Sequence, residues 1–197
     1  MPENKKQRKI KMKPENVLSL IQSRWSPRKF ADRPVTDAQL FHLFEAARWA
    51  PSSYNEQPWI FILGRKGHAS YQKLLSLLVP GNASWAKTAP VLVLTAAKQS
   101  FHHNGKPNRH AFHDVGMALE NLMLAARGEG LFTHPMGGFY LEKARDALHL
   151  PEGVEPVAMV ALGYLAEGEE AGKRARQELS EFVFEGTWGQ TPHFLNK

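Results

Sequence analysis

Residues 50–59, with the sequence Ala-Pro-Ser-Ser-Tyr-Asn-Glu-Gln-Pro-Trp, concentrate side chains that can contact a ligand. Two prolines restrict the backbone, two serines and two amides offer hydrogen-bond donors and acceptors, and Trp59 adds a large flat apolar surface. Because loops both connect elements and carry binding sites, this stretch alone fits a plain connection as well as a ligand contact.

A second unusual loop lies upstream at residues 23–30, Ser-Arg-Trp-Ser-Pro-Arg-Lys-Phe. Arg24 and Arg28 flank Ser26 there, and Pro27 restricts the backbone between them. Two guanidinium groups and a hydroxyl can direct several charge-assisted hydrogen bonds to the oxygens of one phosphate. The alternative, a surface turn with scattered positive charge, stays open on these residues alone.

A third loop, residues 134–139, contains the adjacent glycines Gly137 and Gly138. Because glycine has no side chain, the backbone N–H groups there can approach a ligand closely. A flexible turn between a strand and a helix explains the same residues equally well.

Four histidines and an aspartate cluster in the sequence at His102, His103, His110, His113 and Asp114. His110 and His113 can share one face of a helix, which raises the question of a metal site. The chain has no His-Glu-x-x-His pattern, however, and the polar residues 98–109 are typical of a mobile loop or lid. We therefore predict no metal site.

Hydrophobic periodicity predicts helices and strands in alternation along the chain. The predicted helices cover residues 14–22, 36–50, 71–79, 111–128 and 140–148, and Pro80-Gly81-Asn82 is expected to break the third of them. The predicted strands cover residues 58–64, 89–97, 131–133 and 154–165. Interleaved helices and strands without an internal repeat indicate a single layered α+β or α/β domain.

Composition narrows the class of protein further. A chain of 197 residues with 43% hydrophobic and 22% charged residues is typical of one soluble globular domain. The chain has no cysteine, which excludes disulfides, thiolate nucleophiles and cysteine-bound zinc and indicates a reducing cytoplasm. No apolar run approaches the roughly 20 residues that span a bilayer, so no membrane partner is predicted.

The net charge of +6 is concentrated at the N-terminus. Residues 1–13 hold six lysines and arginines against one glutamate, a net of +5, which leaves +1 for the other 184 residues. We expect residues 1–13 to form a flexible basic arm and residues 14–197 to form the folded domain. No nucleic-acid partner is predicted for this arm.

Taken together, the motifs resemble those of the FMN-dependent nitroreductase family. The resemblance runs from about residue 15 to about residue 185 and keeps the family's motif order. It rests on residues 23–30, residues 50–59, Asn82, the apolar strand after Ala89-Pro90, residues 135–139 and the sequence Leu162-Gly163-Tyr164.

The resemblance implies an α+β fold with a mixed, largely antiparallel sheet flanked by helices. It also implies an intertwined homodimer that binds two FMN molecules at the subunit interface. The apolar residues beyond Leu179 would then belong to a C-terminal extension, about residues 178–197, that packs on the partner subunit.

The flavin contacts are implied by the same resemblance. The phosphate, ribityl chain and pyrimidine edge of FMN would contact Arg24, the main chain of Trp25, Ser26 and Arg28, with Arg174 and Arg176 completing the phosphate site. The flavin of the other subunit would contact Pro51, Ser52, Ser53 and Asn55. The isoalloxazine ring would contact Asn82 and the backbone N–H groups of Gly137 and Gly138.

The function that the resemblance implies is an FMN-dependent NAD(P)H oxidoreductase. In a ping-pong sequence, NADH or NADPH would pass a hydride to the flavin and leave, and an electrophilic acceptor such as a nitroaromatic or quinone would take its place. This scheme requires no side-chain acid or base. Two alternatives remain. One is a specialised flavoenzyme acting on one metabolite, such as an enoyl-type reductase, a dehalogenase or a flavin-destroying enzyme, and the other is a non-catalytic flavin-binding protein.

Three positions depart from patterns found within the family. Trp85 stands where some members have a lysine near the flavin, Gly137 stands where some have a glutamate, and residues 98–109 fall where members vary most. These positions shape the pocket above the ring, so the resemblance does not predict the substrate.

Overall fold

The computed structural model describes residues 14–195, and the basic arm expected at residues 1–13 lies outside them. Its six α-helices are α1 (Pro14–Ser23), α2 (Asp37–Arg48), α3 (Ala69–Leu77), α4 (Pro80–Ala86), α5 (Ala111–Gly128) and α6 (Leu141–Leu148). Its four strands are β1 (Trp59–Arg65), β2 (Val91–Lys98), β3 (Phe132–Met136) and β4 (Val154–Gly163). Within residues 14–195, no helix is both long and apolar enough to cross a membrane.

The four strands form one sheet in the order β1-β2-β4-β3, and each neighbouring pair is antiparallel. β2 lies inside the sheet, and all its residues but the last are buried, as its continuous apolar sequence predicts. The predicted α+β fold, with an antiparallel sheet flanked by helices, is confirmed.

Helices cover both faces of the sheet. Successive side chains of a strand point to opposite faces, so neighbouring residues of β2 enter different halves of the core. Val93 packs with Leu43 of α2 and Leu122 of α5. Leu94 packs on the other face, in the cluster that contains Tyr71 of α3. The two halves of the core together fix the sheet between the helices.

α4 is a helix that the sequence did not predict. Pro80-Gly81-Asn82 does end α3, which stops at Leu77, but Pro80 also occupies the first turn of α4. Proline suits that position because the first N–H groups of a helix have no intrahelical partner and its φ angle is already helical. The same three residues therefore end one helix and begin the next.

β3 continues to Met136, three residues beyond its predicted end at residue 133. It is an edge strand that pairs with β4 alone within the described chain, and an edge strand tolerates the missing N–H of Pro135. This extension places His134 inside the strand, opposite Ala161 of β4. Gly137 therefore follows directly after a residue, Met136, that is held in place by pairing with β4.

Residues 166–195 follow β4 as a largely irregular segment with two short 3₁₀ turns, Leu179–Glu181 and His193–Leu195. Its large apolar side chains Leu179, Phe182, Trp188 and Phe194 are exposed, Trp188 to 88%. An apolar surface of this kind is typical of an interface. The packing of residues 178–197 on a partner subunit stays a prediction.

Candidate functional site

The first candidate loop, residues 24–30, is here called the arginine loop. At its start, the ring of Trp25 meets Phe132 of β3 edge-on, with 5.7 Å between the ring centroids. At its end, Phe30 N donates a hydrogen bond to Thr88 Oγ1 at 3.2 Å. The loop is therefore tied to β3 on one side and to the end of α4 on the other.

Four predicted site residues lie within the arginine loop, namely Trp25, whose ring packs on Phe132, and Arg24, Ser26 and Arg28. Arg24 Nη1 donates to Ser26 Oγ at 3.4 Å, so these two side chains come together. The guanidinium of Arg28 is exposed and has no hydrogen-bond partner within residues 14–195. The loop thus presents a hydroxyl, one guanidinium that donates a hydrogen bond to it, and a second guanidinium without a hydrogen-bond partner in the described residues.

His134 of β3 connects the arginine loop to α4. Its Nδ1 donates to the carbonyl oxygen of Pro27 at 2.8 Å. Its ring stacks on Trp85 of α4, with centroids 4.4 Å apart and an interplanar angle of 31°. Burial lowers the pKa of His134, and the positive charges of Arg28 and Arg24 lower it further, against the opposing effect of the bond to Pro27.

The glycine turn, Gly137 and Gly138, is also held by α4. Asn82 Nδ2 donates to Gly138 O at 3.0 Å, and Val79 N donates to the same oxygen at 3.2 Å. A Cβ atom at Gly138 would lie 2.6 Å from Asn82 Nδ2 and 3.1 Å from Val79 Cγ2. Only glycine permits this close approach of the turn to the helix.

The glycine turn leaves two hydrogen-bond donors unused. Neither the Gly137 N–H nor the Gly138 N–H donates to an acceptor within the described part of the chain. A Cβ added at Gly137 meets no atom within 4 Å, so open space lies in front of this residue. Adjacent unpaired N–H groups beside open space form a ready binding site for hydrogen-bond acceptors.

Arg174 and Arg176 lie in the irregular segment after β4 and differ in their contacts. The guanidinium of Arg174 donates to Arg24 O and, at 2.6 Å, to Gln22 O, where it caps the end of α1. Arg176 donates to Ala175 O at 2.8 Å and is exposed. Both arginines line an open cleft of about 550 Å³ beside Ile21 and Gln22. Arg174 thus contacts the arginine loop directly, whereas Arg176 lines only the cleft.

The other predicted loop, residues 50–59, is here called the serine loop, and Asp114 of α5 anchors it. Asp114 is only 1% exposed, and its Oδ2 accepts a hydrogen bond from Ser53 N at 3.0 Å. Ser52 Oγ accepts from Gln57 N at 3.0 Å, and Ser52 O accepts from Asn55 N at 3.0 Å. Pro51 and the side chain of Asn55 are exposed at the loop surface.

The backbone of the serine loop adopts an unfavourable conformation. Tyr54, Asn55 and Gln57 have φ angles of 53°, 55° and 53°, in the left-handed region. Each such non-glycine residue costs about 1–2 kcal/mol. The hydrogen bonds to Asp114 and Ser52 must therefore hold the loop against its own backbone preference.

Residues 99–108 form a hairpin that packs on the serine loop. Phe101 N donates to Lys106 O at 2.9 Å within the hairpin, and Glu56 accepts from His102 N at 2.8 Å across to the loop. The ring of Tyr54 meets Phe101 edge-on at 5.6 Å. The serine loop and this hairpin therefore form one unit.

Of the residues that suggested a metal site, His113 and Asp114 contact each other. Asp114 Oδ1 lies 3.2 Å from His113 Nδ1, while its second oxygen binds the serine loop. Within residues 14–195, no group of three or more metal-ligating side chains is close enough to hold an ion.

The arginine loop and the serine loop lie near opposite ends of α5. Asp114, in the first turn, holds the serine loop, and Arg127, in the last turn, donates to Ser23 Oγ at 3.4 Å beside the arginine loop. Thirteen residues at 1.5 Å each separate these two positions by roughly 20 Å. The predicted site residues therefore form two half-sites. One contains Arg24, Ser26, Arg28, Asn82, Gly137, Gly138 and Arg174 with the bordering Trp25 and Arg176, and the other contains Pro51, Ser52, Ser53 and Asn55.

Sequence reasoning did not identify the structural roles of His134 and Asp114. His134 stands beside the glycine turn in the sequence, and a polar residue inside an apolar strand was the available signal. Asp114 was noticed only as a possible metal ligand. Its position in the first turn of α5, next to buried Val115, could have indicated a buried anchor.

Comparison with known proteins identifies the family of this chain. The model of the nitroreductase family matches residues 21–79 and 67–164. The protein DrgA of Synechocystis is 33% identical over 170 residues, covering 73% of this chain and 80% of that protein. A protein of Archaeoglobus fulgidus, named as a candidate NADH dehydrogenase/NAD(P)H nitroreductase, is 31% identical over 154 residues, covering 76% and 86%.

Solved structures show the same fold. A crystal structure described as an oxidoreductase containing FMN superimposes with a TM-score of 0.80 at 31% identity, covering 97% of this chain and 100% of that chain. A candidate nitroreductase of Desulfovibrio desulfuricans in complex with FMN gives a TM-score of 0.72 at 27% identity, covering 90% and 99%. The fold is that of a group of oxidoreductases. The chain belongs to the nitroreductase family.

Proposed function

We propose that the protein is an FMN-dependent NAD(P)H oxidoreductase that reduces an electrophilic acceptor, such as a nitroaromatic or a quinone, in a ping-pong sequence. The observation that carries this proposal is the pair of unused N–H groups at Gly137 and Gly138, which lie at the end of β3 near the cationic arginine loop. Titles of two similar structures name FMN as the bound group, and this supports the choice of cofactor.

The donors of the first half-site fit FMN. A phosphate needs cations and hydroxyls, which Arg24 and Ser26 supply. The polar edge of a flavin ring carries acceptors, which suit the two glycine N–H groups and the second N–H of the Asn82 amide. The open space in front of Gly137 leaves room for a flat ring.

A homodimer would complete the site. The serine loop lies roughly 20 Å along α5 from the arginine loop, so the two half-sites of one chain do not surround the same ligand. A second copy could bring its serine loop to the arginine loop of the first. The exposed apolar residues of α1 and of the segment after β4 offer surface for such an association.

FMN, when bound, supplies reversible hydride chemistry. The residues of this chain bind and orient it and set the electrostatic environment. Arg28, whose guanidinium has no other partner in the described chain, would stabilise negative charge at the polar edge of the ring. The glycine N–H groups would do the same at the adjacent acceptors. No side chain is required to accept or donate a proton in hydride transfer itself.

The visible absorbance spectrum of the purified protein tests the cofactor, and anaerobic titration with NADH and NADPH tests the donor. We expect flavin bands as purified or after addition of FMN, bleaching by at least one nicotinamide, and recovery on addition of a quinone or nitroaromatic. A protein that stays colourless with added FMN would refute the proposal. Bound flavin that neither nicotinamide reduces would indicate a non-catalytic flavin-binding protein, and turnover of a single metabolite alone would indicate a specialised flavoenzyme.

The proposed setting is the cytoplasm, where NADH and NADPH are available and the absence of cysteine fits a reducing environment. Sedimentation of the FMN-bound protein tests the homodimer. A monomer that retains FMN tightly would contradict the shared site.

A further inference from the structure

We infer that His134 is a positioning residue of the proposed flavin site, which fixes the direction in which Arg28 leaves the arginine loop. The inference rests on the function proposed above. Its physical basis is the hydrogen bond from His134 Nδ1 to Pro27 O, at 2.8 Å, between residues 107 positions apart in the sequence.

The bond determines the one backbone angle at Pro27 that remains free. The pyrrolidine ring already restricts the φ angle of Pro27 to about −65°. The carbonyl group of Pro27 lies in the same rigid plane as the N–H of Arg28. Because the bond to His134 fixes the direction of this carbonyl, it fixes ψ of Pro27 and with it the plane from which Arg28 starts.

Trp85 fixes the imidazole in turn. The indole and imidazole rings stack with 4.4 Å between centroids and 31° between planes. Trp85 lies one turn after Asn82 on α4, and Asn82 holds the glycine turn through Gly138 O at 3.0 Å. One short helix therefore sets the position of the arginine loop and of the glycine turn relative to each other.

The protonation state agrees with a positioning role. A carbonyl oxygen can only accept, so Nδ1 carries the hydrogen in this bond. Burial and the charges of Arg28 and Arg24 hold the pKa of His134 below its usual range, which keeps the ring neutral at pH 7. His134 therefore acts by orienting the Pro27 carbonyl and not through its own charge. Any neutral hydrogen-bond donor of similar reach should replace it.

The test compares three variants with the wild-type protein. Asparagine places its amide N–H near the position of Nδ1, because both nitrogens are bonded to Cγ, whereas phenylalanine keeps a ring beside Trp85 but has no donor. We expect His134→Phe to raise the Kd for FMN at least tenfold at pH 7.5, measured by titrating flavin-free protein and following flavin fluorescence. We expect His134→Asn to stay within about threefold of the wild type. His68→Gln, at the exposed start of α3, is the matched control and should leave the Kd unchanged.

The outcomes separate this inference from the proposed function. If the wild-type protein binds no FMN, the proposed function fails and this inference fails with it. If the wild type binds FMN and His134→Phe binds it equally well, this inference alone is wrong. It is also wrong if His134→Asn binds as weakly as His134→Phe, because the imidazole itself would then be needed. If His134→Phe does not fold, His134→Leu takes its place, since its side chain fills a similar volume and has no donor for Pro27 O.

Discussion

Replacing Asp114 by alanine should release the serine loop. Its carboxylate is 1% exposed and accepts from Ser53 N at 3.0 Å. Removal leaves a backbone N–H without its acceptor, which costs about 1–3 kcal/mol. The backbone strain of the loop opposes this hydrogen bond. The left-handed conformations of Tyr54, Asn55 and Gln57 together cost roughly 3–6 kcal/mol. Without the anchor, the loop should relax to conformations that do not bind flavin.

The expected size of the effect follows from these terms. If the anchor contributes about 2 kcal/mol to the bound conformation of the loop, its loss reduces the ratio of that conformation to the relaxed ones about 30-fold. The apparent Kd for FMN should rise by up to the same factor, because it varies inversely with the fraction of protein in the competent conformation. Asp114→Asn keeps an oxygen for Ser53 N and should show a smaller rise. Asp146→Ala, an exposed aspartate of α6, is the control and should show none.

Fluorescence titration with FMN and thermal unfolding of the flavin-free protein together test this role of Asp114. A lower melting temperature with an unchanged Kd would mean that Asp114 supports only α5 and that the loop holds itself. No change in either quantity would refute the argument from burial altogether.

Three further predictions concern other contacts. Gly138→Ala places a Cβ 2.6 Å from Asn82 Nδ2 and should weaken FMN binding about tenfold. Gly137→Ala, whose added Cβ would have no atom within 4 Å, should leave the melting temperature unchanged. Tyr71→Phe removes the hydroxyl that donates to Ala89 O at 2.7 Å, so denaturant unfolding should show a loss of about 1–3 kcal/mol. In the wild type, burial raises the pKa of this phenol to about 12, so the donor persists through neutral pH. Because the pKa of His134 is lowered in the folded state, the unfolded chain binds its proton first as the pH falls below about 6.5. Stability should therefore decrease from pH 7 toward pH 5 more steeply in the wild type than in His134→Gln, as measured by melting temperature, and parallel profiles would contradict the assignment.

The elements of the fold were largely predictable because their signals are local. The apolar spacing of α5 gives its bounds, residues 111–128, from the sequence alone, and the apolar run of β2 identifies a buried strand. α4 was not predictable in this way. It has seven residues, begins with Pro80-Gly81 and has no side-chain cap, so its sequence is that of a helix breaker.

The sequence predicted which loops form the candidate site, but not how these loops lie relative to one another. The loops stand out because glycine, proline, serine and arginine are unusual together. Their supports do not stand out, because the bond from Asp114 to Ser53 spans 61 positions and the bond from His134 to Pro27 spans 107. No local pattern contains contacts at such separation. The folded chain alone reveals that α5 keeps the two groups of predicted residues apart.

The placement of the half-sites at opposite ends of α5 has a genetic consequence. In a symmetric dimer with shared sites, each subunit would give its arginine loop to one flavin and its serine loop to the other. A subunit carrying Asp114→Ala and one carrying His134→Phe would then complement each other, because their mixed dimer contains one site without either substitution. Random pairing of coexpressed chains would restore about a quarter of the sites, although neither chain alone forms an intact one.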